Sequence, residues 1–360
     1  MIDLLEYGWS EYFQKYYDEL GTSNLIPARI FTQNKDIYLI QTKYGEMTAH
    51  ISGKFRYYCD KNNILLAVGD WVCVDAIIED KTATIQNILP RKTKLSRVIS
   101  TLSEEEQVLA ANIDYIFIVI SLNKDYNVRR IEKYLVLALE SGARPMIILS
   151  KSDLCEDIPN KVKEVQSIAG DVTVYVISSI HRNGLIQLSP YLSYGKTIVV
   201  LGASGVGKST MINTIAGKEL LNVAEIRTSD DQGRHTTTHR ELIMLPSQGM
   251  IIDTPGIREI GNLNSKDSIN DVFIDIESLA IGCKFYDCSH TVEPGCAVLL
   301  AVKEKKLSKN RLQNYINIKF NMKEIKSEKV KKSKQKGRLS DKNSMKKIYK
   351  ENTNSRKTIY

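Results

Sequence analysis

Gly202-Ala203-Ser204-Gly205-Val206-Gly207-Lys208-Ser209 fits the pattern G-x-x-x-x-G-K-[ST] in full. Glycines at 202, 205 and 207 let backbone N–H groups turn inward around an anion, and a helix entered at Lys208 adds the partial positive charge of its N-terminus. Lys208 is then placed to reach β- and γ-phosphates and Ser209 to ligate Mg²⁺, with Thr210 completing the phosphate-binding set. Asp253-Thr254-Pro255-Gly256 follows about one strand–helix unit later. A carboxylate at Asp253 can hold Mg²⁺, directly or through water, and the Gly256 backbone can contact a γ-phosphate. Between the two, Gly233-Arg234-His235-Thr236-Thr237-Thr238 lies in a polar stretch without periodicity. That composition suits a switch loop in which a threonine hydroxyl completes the Mg²⁺ shell.

The base-reading element that such a site needs normally comes after both motifs, and nothing downstream supplies it. Asn264-Ser265-Lys266-Asp267 has the wrong spacing and no clear strand before it. Ser150-Lys151-Ser152-Asp153 is the good candidate, and it precedes the phosphate loop. The two oxygens of Asp153 would accept from guanine N1–H and its exocyclic amine, whereas adenine would leave the carboxylate unpaired. The Lys151 stem can cover the base face, and Ser150 stands where an Asn is usual, one arm shorter. Ser178-Ser179 can supply a neighbouring base loop. The order of these motifs is that of a circularly permuted GTPase. Ile257 follows Gly256 where many GTPases orient water with Gln, so unassisted hydrolysis is expected to be slow, with His235 the nearest polar substitute.

Cys283, Cys288, His290 and Cys296 offer three thiolates and one imidazole within 14 residues. That is a complete tetrahedral zinc set with no position open for water, so one structural ion per chain is expected. Cys59, Cys73 and Cys155 are isolated in or beside apolar segments and read as inert thiols.

These residues need a frame. Residues 1–29 carry Leu4, Leu5, Tyr7, Trp9, Tyr12 and Phe13 and read as a short packing helix. From there to about Arg97, five short strand-like stretches (37–40, 47–51, 64–67, 71–74 and 83–85) predict a small closed barrel, of OB or SH3-like type. After about residue 105 strands and helices alternate, which predicts a mostly parallel sheet with helices on both faces. The phosphate, magnesium and base motifs all fall at the C-terminal ends of its strands, where open α/β sheets bind ligands.

The net charge of +8 is unevenly spread. From Lys319 to Tyr360 there are 15 Lys+Arg against 4 Asp+Glu, while the remaining 318 residues hold 35 against 38. A near-neutral body thus carries a cationic tail, expected to be disordered until it meets an anion such as rRNA. The start of the chain lacks the basic and apolar regions of a signal peptide, and no apolar run reaches the ~18–20 residues that span a bilayer. A cytoplasmic, monomeric protein without a membrane partner is expected.

Over roughly residues 1–320 the arrangement resembles the bacterial ribosome small-subunit-dependent GTPase A family. The resemblance rests on Ser150–Asp153, Gly202–Ser209, Gly233–Thr238, Asp253–Gly256 and Cys283–Cys296, with Gly69-Asp70-Trp71-Val72 and Pro90-Arg91-Lys92 at the end of the barrel. It implies an N-terminal OB-fold over 1–97, a permuted GTPase domain over 98–262, a mostly helical zinc-binding module over 263–320, and a basic tail over 321–360. It also implies GTP hydrolysis to GDP, stimulated by the small (30S) ribosomal subunit late in its maturation and followed by departure from it. His235 matches a switch histidine linked to hydrolysis, and Thr237 the Mg²⁺-linked threonine. Ser150 and the long tail depart from the family pattern. The alternative from another class is an rRNA-binding scaffold with a structural or degenerate nucleotide site; the intact Lys208, Ser209 and Asp253 argue against it.

Overall fold

The N-terminal region of this computed structural model begins with a 3-10 helix, Leu4–Tyr7, and helix α1 (Glu11–Glu19). The structure describes residues 1–21, 24–98, 106–124, 126–221, 240–253 and 266–319. The barrel follows as β1 (Ile26–Asn34), β2 (Ile37–Thr42), β3 (Gly45–Ile51), helix α2 (Gly53–Asn62), β4 (Trp71–Ile77) and β5 (Thr82–Ile88). Its strands run in the order β1-β2-β3-β5-β4, and β1 pairs again with β4 to close the ring. β3 and β5 are parallel neighbours, with α2 placed between β3 and β4 in the chain, which is the OB arrangement.

Two expectations about the barrel need correcting. Residues 64–67 form no strand, because their backbone groups are taken up by turn bonds, Ile64 N–H to the Cys59 carbonyl and Asp70 N–H to the Ala67 carbonyl, and by side chains rather than by a ladder. Asp70 accepts from the Ala67 amide at 2.8 Å, and Arg91 donates to the Leu65 carbonyl at 2.6 Å. The missing fifth strand is β1, where Pro27 and the buried Arg29 interrupt the apolar pattern. Ser52 starts α2 by accepting from the Phe55 amide, Asn63 ends it at φ 52°, and Phe55 and Cys59 are the residues it buries.

A hairpin, β6 (Lys94–Val98) with β7 (Glu106–Ala111), leads into the second layer system. There follow β8 (Tyr115–Ser121), α3 (Val128–Ser141), β9 (Arg144–Ser150), α4 (Ile158–Ala169), β10 (Val174–Val176), β11 (Thr197–Leu201), α5 (Lys208–Ala216), β12 (Glu241–Met244) and β13 (Met250–Asp253). The order β10-β9-β8-β11-β13 is parallel throughout, and β12 runs antiparallel beside β13. β8 shows why its sequence has no polar alternation. Ile116, Ile118 and Ile120 pack on the side of α3, while Phe117 and Val119 pack with Met211 and Ile212 of α5. One bridging pair, Thr32 with Glu241, joins the sheet to the barrel through β1 and β12.

The C-terminal part is helical: α6 (Lys266–Val272), α7 (Ile274–Ala280), α8 (Ala297–Lys303) and α9 over 309–319. Phe273, Ile276, Val298 and Tyr315 share one continuous core with Tyr134 and Leu135 of α3. A charged network fixes α9 in place. Arg311 donates to Glu132 of α3 at 2.6 Å and to both oxygens of Asp275 at 2.7 and 2.8 Å, and Asn314 donates to the second Glu132 oxygen. Burial pushes the Glu132 carboxyl up, and Asn314 and Arg311 pull it back.

Candidate nucleotide site and metal centre

The phosphate loop leaves β11 at Gly202, whose φ is 153°. A Cβ there would lie 2.4 Å from the Val119 carbonyl of β8, so only glycine allows the close approach. Gly205 and Gly207 follow at φ 76° and 93°, and Gly207 caps α5, so that Lys208, Ser209 and Thr210 form its first turn. Lys208 Nζ donates to the carbonyls of Gly202 and Ala203 at 2.8 and 2.7 Å, which folds the ammonium across the loop that precedes it. Ser204 and Val206 complete the loop, the latter buried against the α5 face of the sheet.

β9 ends on Ser150, and Lys151 turns the chain at φ 55° into a short 3-10 helix, Ser152–Leu154. Ser150 is 2% exposed, and its hydroxyl lies 2.6 Å from the Val206 carbonyl and 3.3 Å from that of Ile120. With one proton to give, it donates to the shorter contact, in the phosphate loop. The shortened arm at this position therefore still spans the gap. Lys151 lies beside the same loop, its Cε 3.9 Å from the point a Cβ on Gly207 would occupy. The Ser152 amide donates to the Ile177 carbonyl, binding the end of β9 to the segment after β10.

Asp153 is exposed, and the buried Ser178 donates to its Oδ1 at 2.6 Å. That hydrogen bond holds the Asp153 carboxyl below its ordinary range, so it stays ionised and keeps acceptor capacity for a donor pair. Ser178 is itself placed by an antiparallel bridge to Asn183. A Cβ on Gly184 would meet the Val176 carbonyl at 2.2 Å, so the loop depends on glycine there as well. Ser179 lies in the turn that follows Ser178. The positioning roles of Asn183 and Gly184 had no sequence signal, because neither belongs to a spaced motif. Asp253 ends β13, the strand beside β11, and so lies at the same edge of the sheet as the phosphate loop. His235, Thr237 and Gly256 lie outside the described residues.

The metal-ligand set also comes together. One ligand atom from each of Cys283, Cys288, His290 and Cys296 lies within 4.8 Å of all the others. His290 Nδ1 is 3.6 Å from Cys283 Sγ and 3.4 Å from Cys296 Sγ, and the two sulfurs are 3.8 Å apart. A tetrahedron with metal–sulfur bonds of about 2.3 Å has edges of about 3.8 Å. The donor set therefore fits one ion. His290 reaches it from a left-handed backbone, φ 58°, and Cys296 lies at the N-cap of α8.

The RsgA GTPase family model matches residues 88–263, and a model described as 50S ribosome-binding GTPase matches residues 197–334. The small ribosomal subunit biogenesis GTPase RsgA 2 of Lactiplantibacillus plantarum is 42% identical over 89% of this chain and 90% of its own length. Crystallised YjeQ from Thermotoga maritima has a TM-score of 0.61 at 26% identity, covering 83% of this chain and 98% of that one. YloQ, described as a circularly permuted GTPase, shares the fold with a TM-score of 0.58 at 24% identity, over 84% and 96% of the two chains. The scaffold alternative finds no support among these relatives. A fold with the guanine-type motif before the phosphate loop, and relatives this similar over this much of the chain, lead to one conclusion: the chain belongs to the RsgA family of circularly permuted GTPases.

Proposed function

We propose that this protein binds GTP across the ends of β9, β10, β11 and β13, engages the small (30S) ribosomal subunit and its rRNA late in maturation, and hydrolyses GTP to leave it. The observation that carries the reading is the Ser150–Val206 hydrogen bond. It joins a base-reading segment and a phosphate-binding loop, 56 residues apart, into one unit. Relatives named for small-subunit biogenesis support the choice of partner.

Asp153 reads guanine, assisted by Lys151, Ser152, Ser178 and Ser179. The backbone from Gly202 to Ser209 and the Lys208 ammonium hold the phosphates and meet the charge that develops during transfer. Ser209, Thr237 and Asp253 would hold Mg²⁺, which neutralises charge on the phosphate oxygens. His235 serves the hydrolytic step, and Gly256 contacts the γ-phosphate.

Cys283, Cys288, His290 and Cys296 hold zinc as a structural ion, because three thiolates and an imidazole favour it and a short helical segment has little core of its own. The units run over 1–97, 98–262, 263–320 and 321–360, with the last a cationic tail for RNA phosphates. The protein acts as a monomer in the cytoplasm. No helix among the described residues is long and apolar enough to cross a membrane.

Co-sedimentation with purified small subunits tests the reading. Binding with a non-hydrolysable GTP analogue should exceed binding with GDP. Equal binding in the two states would remove the switch from the account.

A further inference from the structure

At the opposite end of the parallel sheet from the phosphate loop, a cavity of about 170 Å³ opens where the barrel, the N-terminal turn and the sheet meet. Arg29 of β1 lines it and is 1% exposed. Its Nη1 donates to the Tyr7 carbonyl and lies 3.4 Å from Met250 Sδ. Its Nη2 donates to the Asn112 carbonyl at 3.2 Å and to Thr197 Oγ1 at 2.8 Å. Its Nε–H has no partner among the described residues. None of these contacts is a carboxylate, so among the described residues a buried guanidinium stands without a directly bonded counter-ion. Burial pushes its pKa down to about 10.

Lys92 and Arg144 line the same cavity. The Lys92 ammonium donates to Ser10 Oγ at 2.7 Å and lies over the rings of Tyr12 and Phe13. Asp114 is the one carboxylate in the lining, and it is engaged by the Thr197 amide at 2.8 Å and by Lys196 at 3.8 Å. Three cations thus line the cavity beside one carboxylate, with Asp70 acting on Arg29 from outside the lining, around a buried donor that lacks an acceptor among the described residues.

We propose that this cavity binds a small tetrahedral oxyanion of the inorganic phosphate class. Guanidinium donors match oxyanion geometry, and a desolvated cation gains most from an anion brought to it. The volume is below the roughly 300 Å³ at which drug-sized ligand pockets begin, so the site takes an anion with a few waters and no nucleotide. It shares no residue with the nucleotide site. It does touch the first residue of β11, the strand that ends at the phosphate loop, and Arg29 reaches the first residue of β13, which ends on Asp253.

The test is calorimetric titration of inorganic phosphate into the full chain saturated with magnesium and a non-hydrolysable GTP analogue, at constant ionic strength. With the phosphate loop filled, one phosphate per chain is expected. Replacing both rim cations, Lys92→Gln with Arg144→Gln, should weaken binding about tenfold or more. Asp114→Asn keeps an acceptor for the Thr197 amide but removes the opposing charge, so it should tighten binding severalfold; this variant carries the test if the double variant does not fold. Displacement of phosphate by a short single-stranded RNA would make an RNA phosphodiester the occupant, and no displacement would leave the free anion. Absence of saturable binding, or binding unchanged in these variants, would overturn the site.

Discussion

The Ser150 hydroxyl lies 2.6 Å from the carbonyl oxygen of Val206, so the residue that opens the proposed guanine-reading segment is hydrogen-bonded to the middle of the phosphate loop. Both atoms belong to buried residues. On the proposed reading, base and phosphates would be held by one pre-assembled surface, although the chain visits the two halves in permuted order. In Ser150→Ala the Val206 carbonyl loses this donor, at a cost of about 1 kcal/mol. GTP affinity measured by calorimetry should fall roughly fivefold. Preference for GTP over ATP should survive, because Asp153 is untouched.

Asp153 depends in turn on Ser178. A carboxylate held below its ordinary range stays ionised as pH falls through that range, so the proposed guanine contact should be present above the depressed pKa and lost only on titration through it. Ser178→Ala removes the leading cause of the depression. The acid limb of GTP binding should therefore move to higher pH, while affinity near neutrality changes less. Asp153→Asn should instead shift preference toward xanthine nucleotides, whose C2 carbonyl suits an amide donor. Fluorescent-nucleotide competition across a pH series reads both effects.

The loops were legible in the sequence because each demands particular residues: Gly202 for its approach to Val119, Lys208 at a helix start, and three thiols and an imidazole close in sequence. The α/β alternation was legible for a related reason, since β8 is apolar on both faces and so shows no period-two pattern. What stayed hidden depends on long-range pairing. β1 contains Pro27 and Arg29, and the reason for a buried arginine is visible only when Thr197, 168 residues away, lies against it. α2 was hidden because it buries only Phe55 and Cys59. Nor does any spacing rule pair Glu132 with Arg311 across 179 residues.

That last pair carries a stability prediction. Arg311→Ala leaves the buried Glu132 carboxylate with Asn314, and breaking a buried pair of this kind costs about 3–5 kcal/mol. Glu132 already has a raised pKa, and without the cation it rises further. A carboxyl raised in the folded state favours the protonated form, so the loss should be largest near neutral pH and should shrink as pH falls toward about 5. Thermal unfolding of the variant and the parent at the two pH values makes the comparison.

The metal centre should be separable from the nucleotide site. Cys288→Ala, or chelation of the parent, should release one zinc ion and loosen the chain from about residue 265 onward. GTP binding should persist, since the described nucleotide-site residues all precede that point. Elemental analysis together with hydrogen exchange over α7 and α8 would show both effects. A metal-free protein with full protection there would contradict the structural role.

GTP turnover with and without purified small subunits tests directly whether this permuted site works as the proposed GTPase switch on the small ribosomal subunit. Slow turnover alone and a strong rise with subunits are expected, together with retained GTP binding but a lost rise in His235→Ala. Turnover that is equally fast without subunits, or that accepts ATP as readily as GTP, would contradict the account.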